Sequence, residues 1–297
     1  MNDVRRYEVG GHGFTLDIET GMLSEKELTA YAPFRTVCLS GENNIFTLKV
    51  RSEMPESEEE ECARFEDENG RMTLFRTGEG GMAVRLRTRA GNECCHLMIS
   101  ADYRNATARI EGTAGERRYG FDTATMLLYA FNTATLDTLL VHASAVEEGG
   151  RGYIFLGKSG TGKSTHSRLW TECIEGVTLL NDDNPVVRVG EDGTVEVYGS
   201  PWSGKTPCYL NRSVRIGGIV RLRQAGENRI RKLTGVKAYA ALLPSCSCMK
   251  WDREMAEGVH RTVSKVTEST GVYELECRAD ECAARLCKET IVTGDAT

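Results

Sequence analysis

From Arg5 to about Gly120, apolar and polar residues alternate in short runs, among them FTLKV, RMTLFR, MAVRLRTR and ATARIEG, separated by Gly, Asn and acidic turns. A period of two puts every second side chain on one face of a strand, so the pattern predicts an antiparallel, β-rich N-terminal domain over residues 1–120. The acidic run within SEMPESEEEE, Glu53 to Glu61, reads as a solvated loop.

The period changes in FDTATMLLYAFNTATLD, where Leu127, Ala130, Phe131 and Ala134 recur at the spacing of one helix face and predict an amphipathic helix over 121–137. Two strands follow, TLLVHASAV and GYIFLG, then a glycine-rich loop and a helix over STHSRLWTEC. GVTLLNDD reads as an apolar strand ending in two carboxylates, PVVRV and TVEVYG as a hairpin turning at GEDG, and VYELECRADECAARLCKETI as a strand and a closing helix. Residues 121–297 therefore predict an α/β domain with its chemistry at strand ends. There is no internal repeat and no Pro- or Ser-rich linker, so this boundary rests on the change of pattern.

Composition narrows the function classes. Apolar content of 40% and charged content of 27% suit a globular chain, and a net charge of -6 argues against a nucleic-acid partner. No apolar run reaches the ~18 residues of a membrane span, and the start MNDVRRYEVGGHGF has no signal-peptide core, so a cytoplasmic protein without a membrane partner is expected. Eleven cysteines, an odd number, match no paired zinc spacing and read as reduced thiols; Cys246 and Cys248 are the pair with metal or redox potential.

Gly157, Lys158, Ser159, Gly160, Thr161, Gly162, Lys163 and Ser164 satisfy G-x-x-x-x-G-K-[ST] between a strand and a helix, the context in which the motif cradles a polyphosphate. Glycines let backbone NH groups turn toward an anion, and the helix N-terminus adds partial positive charge. ATP is the expected nucleotide, with Lys163 on its β and γ phosphates, Ser164 on Mg²⁺, and Thr165 completing the contacts. A second Mg²⁺ anchor is expected from Asp182 and Asp183. Neighbours at a strand end point different ways, so one can serve the metal while the other takes a proton from an attacking hydroxyl; the same NDDN is also turn-prone.

His142, in the strand before the loop strand, reads by itself as a core histidine. In order, however, HASAV, IFLGKSGTGKST and LLNDD resemble the nucleotide site shared by phosphoenolpyruvate carboxykinases and HPr kinase/phosphorylases. The resemblance covers about 141–204 by motif and extends more weakly to the closing strand and helix. It implies a carboxykinase-like P-loop kinase fold behind the β-rich region. It also implies that His142 and Asp183 bind a second divalent metal such as Mn²⁺, and that Asp182 is either a carboxylate behind Mg²⁺ or the base. The carboxykinase's substrate arginine segment and metal-binding lysine have no counterpart here. Thr165 stands where HPr kinases have an acidic residue, and RIGGIVRL only faintly echoes their glycine-rich signature.

GSPWSGKTPCY could return over the phosphates, with Lys205 neutralising the transferred group and Trp202 covering the base or simply packing. Arg215, Arg221, Arg223, Arg229, Arg231 and Lys232 form a basic segment that suits an acidic substrate or a solvated strand face. The leading expectation is an ATP-dependent kinase acting on a serine-type hydroxyl, carried by a small molecule or a protein. The alternative is a non-catalytic ATP sensor, and homo-oligomerisation is compatible with either.

Overall fold

The computed structural model describes residues 2–37, 43–67, 69–78, 80–204, 206–249 and 252–293. The chain divides into two compact units, Met1–Asn132 and Thr133–Thr297, each with its own mixed sheet. No helix among the described residues is long and apolar enough to cross a membrane.

The first unit contains β1 (Asn2–Val9), β2 (His12–Glu19), β3 (Arg35–Thr36), β4 (Asn44–Val50), β5 (Glu59–Glu66), β6 (Gly70–Thr77), β7 (Met82–Thr88), β8 (Glu93–Ile99), β9 (Asn105–Ile110) and the helix α1 (Ala114–Thr133). They form one sheet in the order β3-β1-β2-β4-β9-β8-β7-β6-β5. Alternation gives β1 and β2 a core face of Tyr7, Val9, Phe14, Leu16 and Ile18. The sheet is not wholly antiparallel: β4 runs parallel to both β2 and β9. The acidic run also departs from a plain loop, because Glu59 to Glu61 open β5, where Glu59 pairs with Arg85 and His96.

The helix expected over 121–137 starts seven residues earlier, at Ala114, and ends at Thr133. Thr113 and Glu116 form a capping box, the Glu116 carboxylate accepting from the Thr113 backbone NH at 2.8 Å. Gly120 sits so close to β8 that a Cβ there would lie 2.6 Å from the Cys94 carbonyl oxygen.

The second unit runs β10 (Thr138–Leu140), β11 (Ala143–Glu148), β12 (Arg151–Leu156), α2 (Lys163–Cys173), β13 (Thr178–Asp183), β14 (Val186–Val189), β15 (Val195–Tyr198), β16 (Ser213–Gln224), β17 (Arg229–Leu233), α3 (Val236–Leu242), α4 (Arg253–Ser269), β18 (Val272–Cys277) and α5 (Glu281–Thr293). The sheet order is β10-β14-β15-β16-β12-β11-β13, with β18 pairing β16 and β17. The central strand β16 is parallel to β12 and β18; the predicted hairpin is β14 with β15. Val146, Tyr153, Phe155, Val220, Leu222, Tyr273 and Leu275 form one core with Trp170 of α2 and Ala284, Cys287 and Ile291 of α5.

Candidate functional site

The stretch expected to be a single strand, TLLVHASAV, breaks at Val141 and His142. On one side β10 pairs with β14, and on the other β11 pairs with β12 and β13. The gap is closed by other backbone: the Val141 NH donates to Pro185 O at 3.1 Å and the His142 NH to Ser245 O at 2.7 Å. His142 is thus not a core histidine; its side chain is 46% exposed at the edge of the glycine loop.

That loop leaves β12 at Leu156. Gly160 and Gly162 have φ of +78° and +105°, the left-handed region that disfavours a side chain, and Gly162 is the residue before α2. Ser159, Gly160 and Ser164 are exposed, and Thr161, Gly162 and Thr165 half-buried, so the loop and the first turn of α2 face a surface. Lys163 is drawn inward. It is 9% exposed, and its ammonium donates to Gly157 O at 3.0 Å and contacts His142 Nε2 at 3.1 Å.

The His142 Nε2 also lies 3.4 Å from Asp183 Oδ1. One ring nitrogen cannot serve both partners in the same way: it accepts from Lys163 only as a bare nitrogen, and donates to Asp183 only as an N–H. Which of the two contacts forms a hydrogen bond therefore depends on whether His142 Nε2 carries the proton. Burial pushes the Asp183 carboxyl above its ordinary range, against the lowering pull of His142 and Lys163.

The aspartates separate as expected from strand geometry. Asp182 pairs with Ser144, whose hydroxyl is 2.6 Å from Ser167 of α2, so Asp182 faces α2; Asp183 points to the opposite face. Asp182 is 4% exposed, and neither carboxylate oxygen has a hydrogen-bond partner among the described residues. It lines a cavity of about 280 Å³ together with Ser164, Thr165, Arg168, Thr171 and Thr206.

Asn181, read from the sequence only as turn-prone, holds this pair in place. Asn181 Oδ1 accepts from the backbone NH groups of Asp183 and Asn184 at 3.0 and 2.9 Å, and its amide donates to Ser200 Oγ at 3.0 Å. The turn expected as an alternative to a site is here the device that aims it. The GSPW segment does return to the aspartates: the Gly204 NH donates to Asp182 O at 2.9 Å, and Ser203 bridges to Asp183. Trp202, 2% exposed, is a packing residue, not a cover for a base. Lys205 lies outside the described residues.

A second cavity, of about 390 Å³, flanks the loop on the β16 and β18 side and is lined by Gly160, Gly162, Leu169, Leu222, Ala225 and Ala279 among others. His166 lies beneath it and is structural: burial pushes its pKa down to about 4, and Trp170 donates to its Nε2 at 3.1 Å. Cys246 is also structural, its thiol pushed up to about 12 by burial.

The donor set can be tested against the two expected metals. A buried carboxylate with two unpartnered oxygens beside a serine hydroxyl fits Mg²⁺, which binds through one or two protein oxygens and keeps the rest for water and phosphate. His142 and Asp183 supply two donors, short of the set that holds a transition metal, and no group of three His, Cys, Asp or Glu ligands occurs among the described residues. Compared with models of known protein families and with curated protein sequences, the chain matches none.

Proposed function

We propose that the second unit is a phosphotransferase of the HPr-kinase-like type, binding ATP on the glycine loop and passing its γ-phosphoryl to a hydroxyl acceptor. The observation that carries this reading is Asp182: a buried carboxylate with neither oxygen partnered among the described residues, lining the same cavity as Ser164. Leaving such a group unpaired costs several kcal/mol, and a hydrated cation is the partner it lacks. Ser164 and Asp182 would hold Mg²⁺, which would supply charge neutralisation to the phosphates.

In this reading Lys163 exchanges Gly157 O for phosphate oxygens, and the loop NH groups with the α2 N-terminus receive the rest of the polyphosphate. The mixed cavity lined by Leu169, Leu222 and Ala279 together with Thr161, Gln224 and Arg278 takes the base and ribose. Once Lys163 turns to phosphate, His142 Nε2 is released toward Asp183 and orients it. The acceptor hydroxyl oxygen bonds to the γ-phosphorus, the bond to the bridging oxygen breaks with its electron pair leaving on ADP, and the hydroxyl proton passes to Asp183.

Incubation with γ-labelled ATP and Mg²⁺, with free serine and with cell extract, tests the proposal. A labelled product is expected, and Lys163→Ala should abolish it together with ATP binding. ATP affinity and turnover both unchanged in Lys163→Ala would overturn the site; binding without any transfer would make the protein an ATP sensor.

A further inference from the structure

Strand register places a charged row beside this site. Across the sheet, Arg231, Glu274, Arg221, Leu156, Ala143 and Asp183 are successive in-register partners on β17, β18, β16, β12, β11 and β13, so their side chains emerge on one face. Asp183, the proposed proton acceptor, is at one end of this row. Two residues along, Arg229, Glu276 and Arg223 form a second row on the same face. It lies past the end of β12, level with the glycine loop, to whose Gly160 O the neighbouring Gln224 donates at 3.2 Å.

Four guanidinium groups thus face two carboxylates. The centre is Glu274, 0% exposed. Arg221 donates to its Oε2 through Nε at 2.9 Å, Arg231 to its Oε1 through Nε at 3.1 Å, and Arg223 lies 3.8 Å away. Burial would raise the Glu274 carboxyl, but the hydrogen bonds from Arg231 and Arg221 outweigh it and hold it below its ordinary range. An ionised glutamate at the centre fixes the two forks, and because each arginine has five donors, most remain for another anion. The three arginine side chains are 33%, 58% and 57% exposed for Arg221, Arg223 and Arg231, so a ligand can reach them.

We infer that this arginine platform is the docking site for an anionic group of the phosphoryl acceptor, and that the acceptor is an acidic peptide segment. The placement of its hydroxyl rests on the kinase reading above; the platform does not. Arg221 and Asp183 are three strand spacings apart, roughly 14 Å. The Arg221 guanidinium turns toward Glu274, away from Asp183, and Leu156 and Ala143 between them are buried, so the whole distance is spanned by the ligand: three extended residues cover about 10 Å and the acidic side chain covers the rest. A free hydroxy amino acid cannot bridge that gap, whereas a peptide with a hydroxyl at one end and a carboxylate three residues on can.

The test is fluorescence anisotropy on the full chain at low salt with three labelled acetyl peptides: Ser-Ala-Ala-Glu amide, its Gln counterpart, and Ser-Ala-Ala-Ala with a free terminal carboxylate. The Glu peptide should bind at least tenfold more tightly than the Gln peptide; the third peptide shows whether a chain terminus serves equally. In the double variant Arg223→Gln, Arg229→Gln the preference should fall to within twofold, with ATP affinity unchanged. No difference between the Glu and Gln peptides, including no binding of either, would overturn the inference. So would a preference that survives the double variant, or a matching loss of ATP affinity, which would give the platform to the nucleotide's own phosphates. Lys163→Ala separates the two readings, since it should lose ATP and keep the peptide preference.

Discussion

Asp182 shows what a single side chain can disclose. A buried carboxylate with no partner among the described residues is a net cost to folding, so Asp182→Asn should raise the unfolding free energy of the metal-free protein, read by urea denaturation, by about 1–3 kcal/mol while reducing transfer at least a hundredfold. Denaturation with and without Mg²⁺ alone checks this, because the added cation should stabilise the wild type more than the variant. Asp122 in the first unit is a half-buried acid that accepts from the Tyr31 hydroxyl at 2.9 Å and meets Arg118 at 3.3 Å, and desolvation outweighs both and pushes its pKa up to about 6 from an ordinary 3.8. The folded form binds its proton more tightly than the unfolded form, so this group favours folding most below pH 4 and loses that contribution as pH rises through 6. Asp122→Asn should therefore stabilise the chain at pH 7.5, by up to roughly 2–3 kcal/mol, and do little at pH 4; paired urea titrations read the difference.

At the scale of elements, the loop strand, the α2 start, the strand ending in the two aspartates and the closing strand and helix were all legible, because each joins a clear period to a strong local signal. Two misreadings have physical causes. The α1 start was missed because its signal is the Thr113 and Glu116 capping box and not its apolar spacing. The break at Val141 and His142 was hidden because the apolar run continues through it; what ends the strand is pairing to Pro185 and Ser245, distant in sequence. A close approach likewise invisible in sequence is Gly258 of α4, where a Cβ would lie 2.4 Å from the Ala134 carbonyl oxygen. That contact is with backbone, which yields little, so Gly258→Ala should cost about 1–3 kcal/mol in chemical denaturation. A loss under 0.3 kcal/mol would show that α4 shifts freely.

Over the whole molecule, the change of pattern predicts a boundary at residues 120 and 121, whereas the chain divides between Asn132 and Thr133, so all of α1 but its last residue belongs to the first unit. The expected antiparallel character of the first sheet fails at β4, whose two parallel neighbours depend on crossovers that alternation does not encode. In the second unit one sheet collects loop, histidine and aspartates at one end and sends the aspartates to opposite faces, giving the proposed cation and proton roles separate environments. Phosphoryl transfer from γ-labelled ATP by wild type, Lys163→Ala and Asp182→Asn, with ATP binding measured on the same samples, tests this account most directly. The account predicts labelled product from the wild type alone, and ATP binding kept by Asp182→Asn but lost by Lys163→Ala. Equal labelling by all three proteins, or ATP binding by the wild type with no labelled product under any condition, would contradict it.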